Sequence, residues 1–456
     1  MSLPQAGQHA QQLQEELIRQ VNERRRMRET VVPTSDADVR RMLRQMDEPI
    51  TLFGEKEMER RDRLRRILSA MDEEEREAVA VEGNIQVMEE APAVPELFYT
   101  EGLPGLKQAR LQIAEFSLDR AAERLAGAKR KRESADEDEA GERQAAVEAA
   151  KAVIQQSSEI GDERPISSCA FQPGGRVLAT AAWSGLVKLW GMPGGNKQLT
   201  IKAHDDRITG IAWHPDAGFS QSPDSVNLVT ASADTTARLW SADGRLLRSL
   251  TGHADRLGRV AYHPMGCHVG TASFDQTWRL WDAETGTCIL EQEGHSRSVY
   301  AVAFHRDGSL AGSGGLDAVG RIWDLRTGRT IMTLEGHVKD ILSLDFSPNG
   351  YHVATGSNDN SCRIWDLRKR KAVYTLPGHR SLISQVTFEP NDGYYLLTAG
   401  YDNTSKLWDT SNYQLIKTLA GHEGKVMGAD ICPDGSGLIA TVSYDRTVKL
   451  WAPDEV

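Results

Sequence analysis

The second half of the chain repeats one pattern of apolar and polar positions, and the last copy shows it most clearly. From Gly421 to Trp451, three short apolar runs alternate with turns, one built on Pro-Asp-Gly and the next centred on Asp445. Short apolar runs bounded by turn residues predict the strands of a small antiparallel sheet. The recurrence of this pattern upstream therefore predicts a repeating β architecture.

Tryptophan marks the end of each repeat. Seven segments end in a basic residue, an aliphatic residue and Trp, and successive copies are 41 to 50 residues apart. This interval is close to the period of about 40–45 residues that is typical of a four-stranded WD-repeat blade. The sequence predicts an all-β seven-bladed WD-repeat β-propeller with an α-helical N-terminal arm. The seven tryptophans are Trp190, Trp240, Trp281, Trp323, Trp365, Trp408 and Trp451.

Six repeats also place a His, a Ser or Thr, and an Asp at fixed positions before the Trp. An Asp in a tight turn can accept from the His ring, the His can bond the hydroxyl, and the hydroxyl can bond the indole N–H, which predicts a buried structural relay. A hydrolase triad uses the same residue types, but sixfold repetition without a Gly-x-Ser-x-Gly turn favours the structural interpretation. The predicted relay residues before each Trp are His204, Thr230 and Asp234; His253, Thr271 and Asp275; His295, Ser313 and Asp317; His337, Thr355 and Asp359; His379, Thr398 and Asp402; and His422, Thr441 and Asp445.

The first repeat departs from this pattern. Ser184 occupies the Asp position and no Gly-His pair precedes Cys169, so that only Thr180 and Trp190 remain. We expect this blade to lack the relay and to be held by its neighbours and by closure of the ring.

Closure of the ring requires a strand from outside the last repeat. Only five residues follow Trp451, too few for the outer strand that repeats two to six form after their Trp. Propellers protect their edges by joining the first and last blades, so we predict that residues 153–160 supply the missing strand. The second repeat is longer because of a polar insertion around residues 218–225, which we expect to form a loop between two strands.

The first third of the chain is rich in Arg and Glu and has a helical pattern. Ser35 is a predicted N-cap with Asp38 in the capping-box position, and a second helix is expected to start near Glu55. Each predicted helix carries one apolar stripe, formed by Val39, Met42, Leu43 and Met46 and by Leu64, Ile67, Leu68 and Met71. The two helices are expected to form a small unit that leans on a partner.

Another pair of helices is predicted further on, with Ser117 as the N-cap of the second one. The cluster Lys129-Arg130-Lys131-Arg132 fits either a nuclear-import signal or the charged end of a helix. The predicted organisation is a polar helical tail over 1–31, a helical unit over 32–82, an extended connector over 83–104, a helical arm over 105–152 and the propeller over 153–456.

Composition narrows the functional classes. A net charge of -11 argues against wholesale wrapping of nucleic acid, although local basic patches can still contact phosphates. The five cysteines are scattered without a Cys-x-x-Cys pair, which argues against a disulfide framework or a zinc site. No run of 18 apolar residues occurs and the first 30 residues are polar, so we expect neither a membrane span nor a secretory signal. We expect no cofactor.

The residue before each turn Asp can indicate a binding surface, because a propeller does not require aromatic side chains at its rim for its own packing. Tyr401, Tyr444 and Trp183 would lie on consecutive blades once the ring closes, and basic residues follow several of the His positions. Such a cluster is typical of an interface anchor, while packing between blades is the alternative. The predicted partner-binding face consists of Trp183, Phe274, Tyr401, Tyr444, Arg207, Arg256 and Lys425.

Two parts of the sequence resemble one known family. VPTSDADVRRMLRQMDEPITLFGE, followed by RRDRLR, resembles the splicing-factor motif of the pre-mRNA-processing factor four family, and LKQARLQIAEFSLDRAAERL resembles that family's arm. The repeats contribute IGDERPIS, LATAAWSGLVKLW, GSLAGSGGLDAVGRIWDLRTGR, FSPNGYHVATGS and LAGHEGKVMG. The resemblance covers about residues 32–451, and the helical motif is its specific part, because WD repeats occur in proteins of many functions.

That family is the WD-repeat subunit of the spliceosomal U4/U6 small nuclear ribonucleoprotein. The resemblance implies a non-enzymatic scaffold of the nuclear U4/U6·U5 tri-snRNP in pre-mRNA splicing. Its implied partners are the pre-mRNA-processing factor three protein, a spliceosomal cyclophilin bound through the arm, other tri-snRNP proteins and neighbouring U4/U6 snRNA. A generic WD-repeat adaptor, such as a ubiquitin-ligase substrate receptor, is the alternative. Candidate contacts to RNA phosphates are Arg60, Arg61, Arg63, Arg65 and Arg66.

Overall fold

The computed structural model describes residues 32–33, 35–46, 48–50, 52, 55–71, 104–133 and 137–454. The chain divides into two compact units, Met1–Thr100 and Glu101–Val456, which are described separately below. The expected polar tail over 1–31 and nearly all of the expected connector over 83–104 lie outside the described residues.

The described residues of the first unit form two short helices, α1 (Asp36–Gln45) and α2 (Glu57–Ala70). Their apolar stripes pack on each other, and Val39, Leu43 and Leu64 are almost completely buried. Ser35 is the N-cap of α1, but its side chain makes no capping hydrogen bond, so the predicted capping box is wrong. The start of α1 is supported instead by Asp36 and Asp38, which place negative charge in the first helical turn.

In the second unit, seven four-stranded antiparallel sheets form the blades of a propeller. The first four blades contain β2–β17, with bounds β2 (Ile166–Phe171), β3 (Val177–Ala182), β4 (Leu186–Gly191), β5 (Asn196–Lys202), β6 (Ile208–Trp213), β7 (Leu228–Ser232), β8 (Ala237–Trp240), β9 (Leu246–Leu250), β10 (Leu257–Tyr262), β11 (His268–Ser273), β12 (Trp278–Asp282), β13 (Cys288–Gln292), β14 (Val299–Phe304), β15 (Leu310–Gly315), β16 (Gly320–Asp324) and β17 (Arg329–Leu334). The polar insertion at 218–225 lies between β6 and β7, as predicted.

Blades five to seven complete the ring with β18–β28 and β1, whose bounds are β18 (Ile341–Phe346), β19 (His352–Ser357), β20 (Cys362–Asp366), β21 (Lys371–Leu376), β22 (Ile383–Phe388), β23 (Tyr395–Gly400), β24 (Thr404–Asp409), β25 (Leu415–Ala420), β26 (Val426–Ile431), β27 (Ile439–Ser443), β28 (Thr447–Pro453) and β1 (Val153–Ile160). The first strand of each repeat is innermost and contacts the first strand of the next, so the innermost strands β2, β6, β10, β14, β18, β22 and β26 line a closed ring.

The predicted closing strand is present. β1 pairs antiparallel with β28 from Val153 opposite Pro453 to Ile160 opposite Thr447, and it forms the outer strand of blade seven. Blade seven therefore combines residues from before the first repeat with residues from the last one. On the other side of blade seven, Phe171 and Leu178 of blade one pack against Leu438. The ring is thus closed by a hydrogen-bonded strand and by an apolar core.

Two helices precede the closing strand: α3 (Pro104–Glu133) and α4 (Glu137–Ala152). The predicted break at Ser117 is wrong, because α3 is one continuous helix. Its Ser117 hydroxyl donates to the carbonyl of Ala114 at 3.1 Å, so the side chain bonds within the helix instead of capping a new one. Contacts with the propeller on both sides of Ser117, through Ile113 and Arg124, favour the continuous helix.

Candidate protein-interaction face

Each of the six predicted relays is closed by hydrogen bonds. In every one, the His Nδ1 lies 2.7–3.0 Å from the Asp carboxylate and the His Nε2 lies 2.7–2.9 Å from the Ser or Thr hydroxyl. The indole N–H donates to the same hydroxyl at 2.8–3.0 Å. All six hydroxyl residues are completely buried. These hydroxyls stabilise the blades and are out of reach of a substrate.

The relay also fixes the protonation of its members. Burial opposes ionisation of Asp359, but hydrogen bonds from Ser361 and His337 outweigh it and lower the pKa of this Asp to about 2. Burial in turn lowers the pKa of His337, against the opposing effect of Asp359. A neutral His whose Nδ1–H donates to the carboxylate must accept at Nε2. The Thr355 hydroxyl therefore donates to the His and accepts from the indole.

Blade one has a different buried network at the same place. Asp162 is 6 % exposed, accepts from the Ser184 hydroxyl, and lies 3.3 Å from the Lys188 ammonium. Lys188 also donates to the carbonyl of Gly161 at 2.6 Å, and Trp190 still donates to the Thr180 hydroxyl at 2.9 Å. The His–Asp pair is thus replaced by an Asp–Ser–Lys group.

Asp162 was not identified from the sequence as the residue that replaces the His in blade one, although the sequence contains a signal for it. Asp162 lies 28 positions before Trp190, the same separation as between His253 and Trp281. Gly161-Asp162 also follows the closing strand β1, just as Gly-His pairs follow outer strands elsewhere. The residue at the His position is therefore an acid, and Lys188 supplies the compensating positive charge.

The predicted partner-binding face pairs aromatic rings with basic side chains. Trp183 and Tyr444 meet edge to face at 5.7 Å across the junction of blades one and seven. The Arg207 guanidinium lies 5.9 Å from the Trp183 ring centroid, Arg256 lies 4.0 Å from the Phe274 centroid, and the Lys425 ammonium lies 5.1 Å from the Tyr401 centroid. These cation–π contacts hold the positive groups in place beside the rings.

Five of the rings and cations named above surround a cavity of about 200 Å³, at one end of the channel that runs through the ring. The cavity is lined by Trp183, Arg207, Arg256, Phe274 and Tyr401, whereas Lys425 and Tyr444 lie outside its lining. Tyr444 is 48 % exposed, so its ring is accessible next to the cavity. The structure therefore brings five of the seven predicted residues into one cavity and places the other two beside it.

Arg259 is a functional candidate that sequence reasoning missed. Its guanidinium reaches from blade three across the channel, donating to the Ser168 hydroxyl at 3.1 Å and to the Ser384 carbonyl at 3.3 Å. It lines both the cavity and a second cavity of about 280 Å³ deeper in the channel. The sequence contains a signal for this residue at the third position of each innermost strand. Arg259 is the one basic residue at that position, and the other six blades have an uncharged residue there: Ser168, Gly210, Ala301, Ser343, Gln385 and Gly428.

The cavity at the channel end is electropositive. Three arginines line it, and none of its lining residues is acidic. Burial, together with a smaller effect of Tyr300, raises the pKa of Tyr401 to about 12, so that its hydroxyl stays protonated and can donate. Aromatic walls, guanidinium groups and a hydroxyl donor suit a peptide segment that carries a carboxylate.

The deeper cavity contains two buried carboxyl groups. Burial raises the pKa of Asp345 to about 7 and that of Asp430 to about 6. Asp345 accepts from the backbone N–H of Phe388 in the next blade at 2.8 Å, and Asp430 accepts from that of Phe171 at 2.8 Å. These carboxyl groups link neighbouring blades: Asp345 links blades five and six, and Asp430 links blades seven and one, where the ring closes.

The five arginines proposed for phosphate contact have different environments on α2. Arg60 is 4 % exposed and forms an ion pair with Asp36 at 2.5 Å, while Arg63 forms one with Glu55 at 2.8 Å. Arg61 donates to the Val32 carbonyl at 3.1 Å. These three guanidiniums hold the helical unit together. Two of the five face solvent more freely: they are Arg65, which lies 3.2 Å from Asp62 at the surface, and the exposed Arg66.

Within the described ranges, no helix is long and apolar enough to cross a membrane, and no group of His, Cys, Asp and Glu side chains could hold a metal ion. All five cysteines lie in those ranges as free thiols.

The repeats match the family model of the WD domain, G-beta repeat, over seven segments that together span more than half of the chain; these are residues 155–191, 195–241, 244–282, 286–324, 328–366, 370–409 and 413–452. The chain belongs to the WD-repeat family. Residues 39–67, which include most of α1 and α2, match a second family model, described as pre-mRNA processing factor 4 (PRP4) like.

Curated relatives carry the same name. The chain is 46% identical over 263 residues to the U4/U6 small nuclear ribonucleoprotein PRP4-like protein of Arabidopsis thaliana, covering 55% of this chain and 45% of the relative. It is 48% identical over 216 residues to the human U4/U6 small nuclear ribonucleoprotein Prp4, covering 47% and 41%. The Saccharomyces cerevisiae PRP4 protein is 33% identical over 274 residues, covering 58% and 56%. The chain thus spans about half the length of the relatives it matches.

Proposed function

We propose that this chain is a non-enzymatic scaffold subunit of the U4/U6 snRNP and of the U4/U6·U5 tri-snRNP, acting in pre-mRNA splicing in the nucleus. The observation that carries the proposal is the presence in one chain of a PRP4-like helical motif and a complete seven-bladed propeller. WD repeats alone are shared by proteins of many functions, whereas the helical motif is specific. Relatives named as U4/U6 small nuclear ribonucleoprotein subunits support the same assignment.

The proposed partners are the pre-mRNA-processing factor three protein, a spliceosomal cyclophilin, other tri-snRNP proteins and U4/U6 snRNA. The propeller and the helical arm would each bind proteins. For contacts to RNA phosphates we favour Arg65 and Arg66, because Arg60, Arg61 and Arg63 are already bonded within the helical unit. One exposed guanidinium and one that is half-buried beside Asp62 fit a supporting contact to the RNA backbone better than sequence-specific reading.

Affinity purification of the tagged full-length chain from nuclear extract tests the proposal. U4 and U6 RNA are expected to co-purify with it at a fixed ratio. Recovery of a cullin complex without these RNAs would instead support the ubiquitin-ligase adaptor. Treating the bound material with nuclease before elution separates partners that are held by protein from those that are held by RNA.

Within this function, the electropositive cavity is proposed to bind an acidic segment of a partner protein. Replacing Tyr401 and Tyr444 by Ala removes one wall of the cavity and the accessible ring beside it. Partner recovery, measured well below the melting temperature of the variant, is expected to fall. Some loss of thermal stability is expected as well, because the Tyr401 ring is partly buried. Tyr374, which is 44 % exposed on the outer strand of blade five, provides the matched control for the same substitution. Equal partner recovery by the double variant and by the Tyr374→Ala control would show that the two tyrosines only pack between blades.

A further inference from the structure

A cavity of about 610 Å³ lies between the helical arm and the propeller, and we call it the arm cavity. Helices α3 and α4 form one side of it, and turns of blades five and six form the other. Its walls include the rings of Tyr351, Tyr394 and Tyr413. The volume is within the range of ligand-binding cavities, which is about 300–1,000 Å³. None of its lining residues belongs to a relay or to the cavity at the channel end.

The arm cavity is lined by more basic than acidic residues. Of the described lining residues, one is acidic, Asp392, and three are arginines: Arg124, Arg143 and Arg306. Arg124 is paired with Asp307 at 2.8 Å, and Arg306 donates to two backbone carbonyls of blade six at 3.0 and 3.4 Å. Arg143 has no carboxylate partner among the described residues, and its Nε is buried without a hydrogen bond. The cavity therefore carries positive charge that the fold itself does not neutralise.

A run of four basic residues borders the arm cavity at the start of the outer strand of blade five. All four are exposed, and they are Arg368, Lys369, Arg370 and Lys371. The Arg368 guanidinium lies 4.1 Å from the ring centroid of Tyr351, which lines the cavity. Arg368 is also paired with Asp366 at 3.3 Å, whereas the other three have no carboxylate partner among the described residues. We call residues 368–371 the basic turn.

The positive charge of the basic turn reaches into the arm cavity. His352 lines the cavity, and its Nδ1 lies 2.9 Å from the side-chain amide nitrogen of Asn349. Burial lowers the pKa of His352, and Arg368 and Lys369 lower it further against the opposing effect of Asp366. The basic turn and the cavity therefore act on the same space, and one anionic ligand can contact both.

Two side chains of this region occupy backbone positions where glycine is the usual residue. Arg370 and Tyr413 have φ angles of 52° and 56°, each in the turn before the outer strand of its blade. The corresponding turns of blades one to four have a glycine with positive φ: Gly195, Gly244, Gly286 and Gly328. A side chain in this left-handed conformation costs energy that glycine does not. An exposed arginine and a cavity-lining tyrosine at such positions indicate a function for the two side chains.

Single-stranded RNA has the chemistry that fits this combination. Cations spread along an exposed turn suit a ligand with a charge on every unit, whereas a lone carboxylate or phosphate requires guanidiniums that converge on one point. Tyrosine rings in a cavity beside such cations suit unpaired bases, which stack on aromatic side chains. A duplex keeps its bases inside and could not place one in the cavity.

We propose that the basic turn and the arm cavity together bind single-stranded RNA, with phosphates along residues 368–371 and a base stacked on Tyr413. This inference rests on the proposed function, in which the chain lies beside U4/U6 snRNA. It assigns to the propeller an RNA contact of its own, in addition to the one proposed for Arg65 and Arg66 of the helical unit.

Fluorescence anisotropy of a fluorescein-labelled oligouridylate of about twelve nucleotides, titrated with the full-length chain, tests the proposal. The triple substitution Lys369→Ala, Arg370→Gly and Lys371→Ala removes three exposed cations and gives the turn the glycine of blades one to four. It should weaken binding about tenfold or more. It should also reduce the slope of log affinity against log salt concentration by about 2, because each phosphate contact on a single strand contributes about 0.7.

A matched control removes the same charge from exposed positions in blades one and two. Lys197→Ala, Arg245→Ala and Arg248→Ala should change neither the affinity nor the salt slope appreciably, because salt screens charges that lie far from the bound strand. Both triple variants change exposed residues, so their circular dichroism melts should match that of the parent chain. Equal affinity of the two triple variants for the oligouridylate would overturn the proposal.

Tyr413→Gly tests the base contact separately from the phosphate contacts. Glycine suits the positive φ of this turn, and the substitution removes an uncharged ring from the cavity wall. Binding, measured well below the melting temperature of the variant, should weaken about fivefold or more with an unchanged salt slope, because stacking releases no counterions. Unchanged affinity in this variant would overturn the base contact.

Two competitors distinguish single-stranded RNA from other polyanions. A duplex RNA of the same length and an oligoglutamate peptide should each displace the oligouridylate less well than its unlabelled form does. Equal or better displacement by either competitor would overturn the proposal, as would failure of the parent chain to bind the oligouridylate. Co-purification of U4 and U6 RNA is measured separately from nuclear extract, so failure here is distinguishable from failure of the proposed function.

Discussion

Thr441 lies at the centre of the relay in blade seven, and replacing it by Val tests how much the relay contributes to stability. Its hydroxyl accepts from the Trp451 indole at 2.8 Å and bonds His422 Nε2 at 2.8 Å. Val has nearly the same shape as Thr but can make neither hydrogen bond. Thr441→Val therefore leaves two buried polar groups without their partners, and Thr441 is 0 % exposed, so water does not reach the site.

The matched control is Thr180→Val in blade one. Thr180 accepts from the Trp190 indole at 2.9 Å, but the position of the His is taken by Asp162, which bonds Ser184 and Lys188 instead. This substitution removes the partner of one buried side-chain group. A buried polar group without a partner costs about 1–3 kcal/mol, so Thr441→Val should reduce the free energy of unfolding by about 2–6 kcal/mol and Thr180→Val by about 1–3 kcal/mol.

Equilibrium unfolding in urea measures the difference between the two variants. Unfolding is followed by both tryptophan fluorescence and far-ultraviolet circular dichroism, because a ring of repeats need not unfold in a single step. Coincident transitions from the two probes are required before the free energies of unfolding are compared. With equal slopes, the Thr441→Val midpoint should fall clearly below that of Thr180→Val. Equal losses in the two variants would refute the reasoning, since they would show that the His–hydroxyl bond adds nothing to the indole–hydroxyl bond.

Two further predictions concern closure of the ring and acid stability. Deleting residues 150–160 removes the outer strand of blade seven and should lower the melting temperature of the whole ring; a melt indistinguishable from that of the intact chain would contradict the closure. Hydrogen bonds from the turn residues Ser361 and Thr447, together with the neighbouring relay histidines, hold the pKa of Asp359 and of Asp445 at about 2, below the ordinary value of 3.8. The stabilisation that these two groups provide is complete above about pH 4 and is lost as the pH falls towards 2. The lowered pKa of His337 and of His422 acts in the same direction from about pH 6.5 downwards, because the unfolded chain binds the proton more readily. Between about pH 7 and pH 4, the raised pKa of Asp345 and of Asp430 acts in the opposite direction, because the folded chain binds the proton more readily than the unfolded chain. Unfolding in urea should therefore show stability declining as the pH falls from about 4 to about 2, and a flat profile over that range would be the contrary result.

The propeller could be predicted from the sequence because its stabilising groups recur. Each relay uses four residue types at nearly constant spacing, so one copy supports the interpretation of the next. The closing strand could be predicted because the last repeat has no outer strand of its own, so the edge of its sheet needed a partner. The structure confirms this, since β1 pairs with β28. Blade one broke the pattern, and Asp162 was missed because its network uses different residue types from the other six.

The helical arm was harder to predict because its local pattern has more than one solution. Ser117 has the propensity of an N-cap, but apolar contacts of Ile113 with the propeller favour a continuous helix through it. The five arginines of α2 look alike in sequence. Only the fold shows that Asp36 and Glu55 approach Arg60 and Arg63, because Asp36 is 24 positions from the arginine it pairs with. Long-range ion pairs of this kind leave no periodic signal.

The arm and the ring are joined in a way that suits a scaffold. Helix α4 runs directly into β1, and its C-terminal end is fixed where Lys417 donates to the Lys151 carbonyl at 2.7 Å and the Asp454 N–H donates to the Ala152 carbonyl at 3.3 Å. Helix α3 is fixed independently by the ion pair between Arg124 and Asp307 at 2.8 Å. Such attachment is useful in a scaffold. Two partners bound at different surfaces stay at a fixed distance from each other only if the two surfaces are themselves held at a fixed distance. Helix α3 and the cavity of the propeller meet this condition, since packing against the ring holds α3 in one orientation.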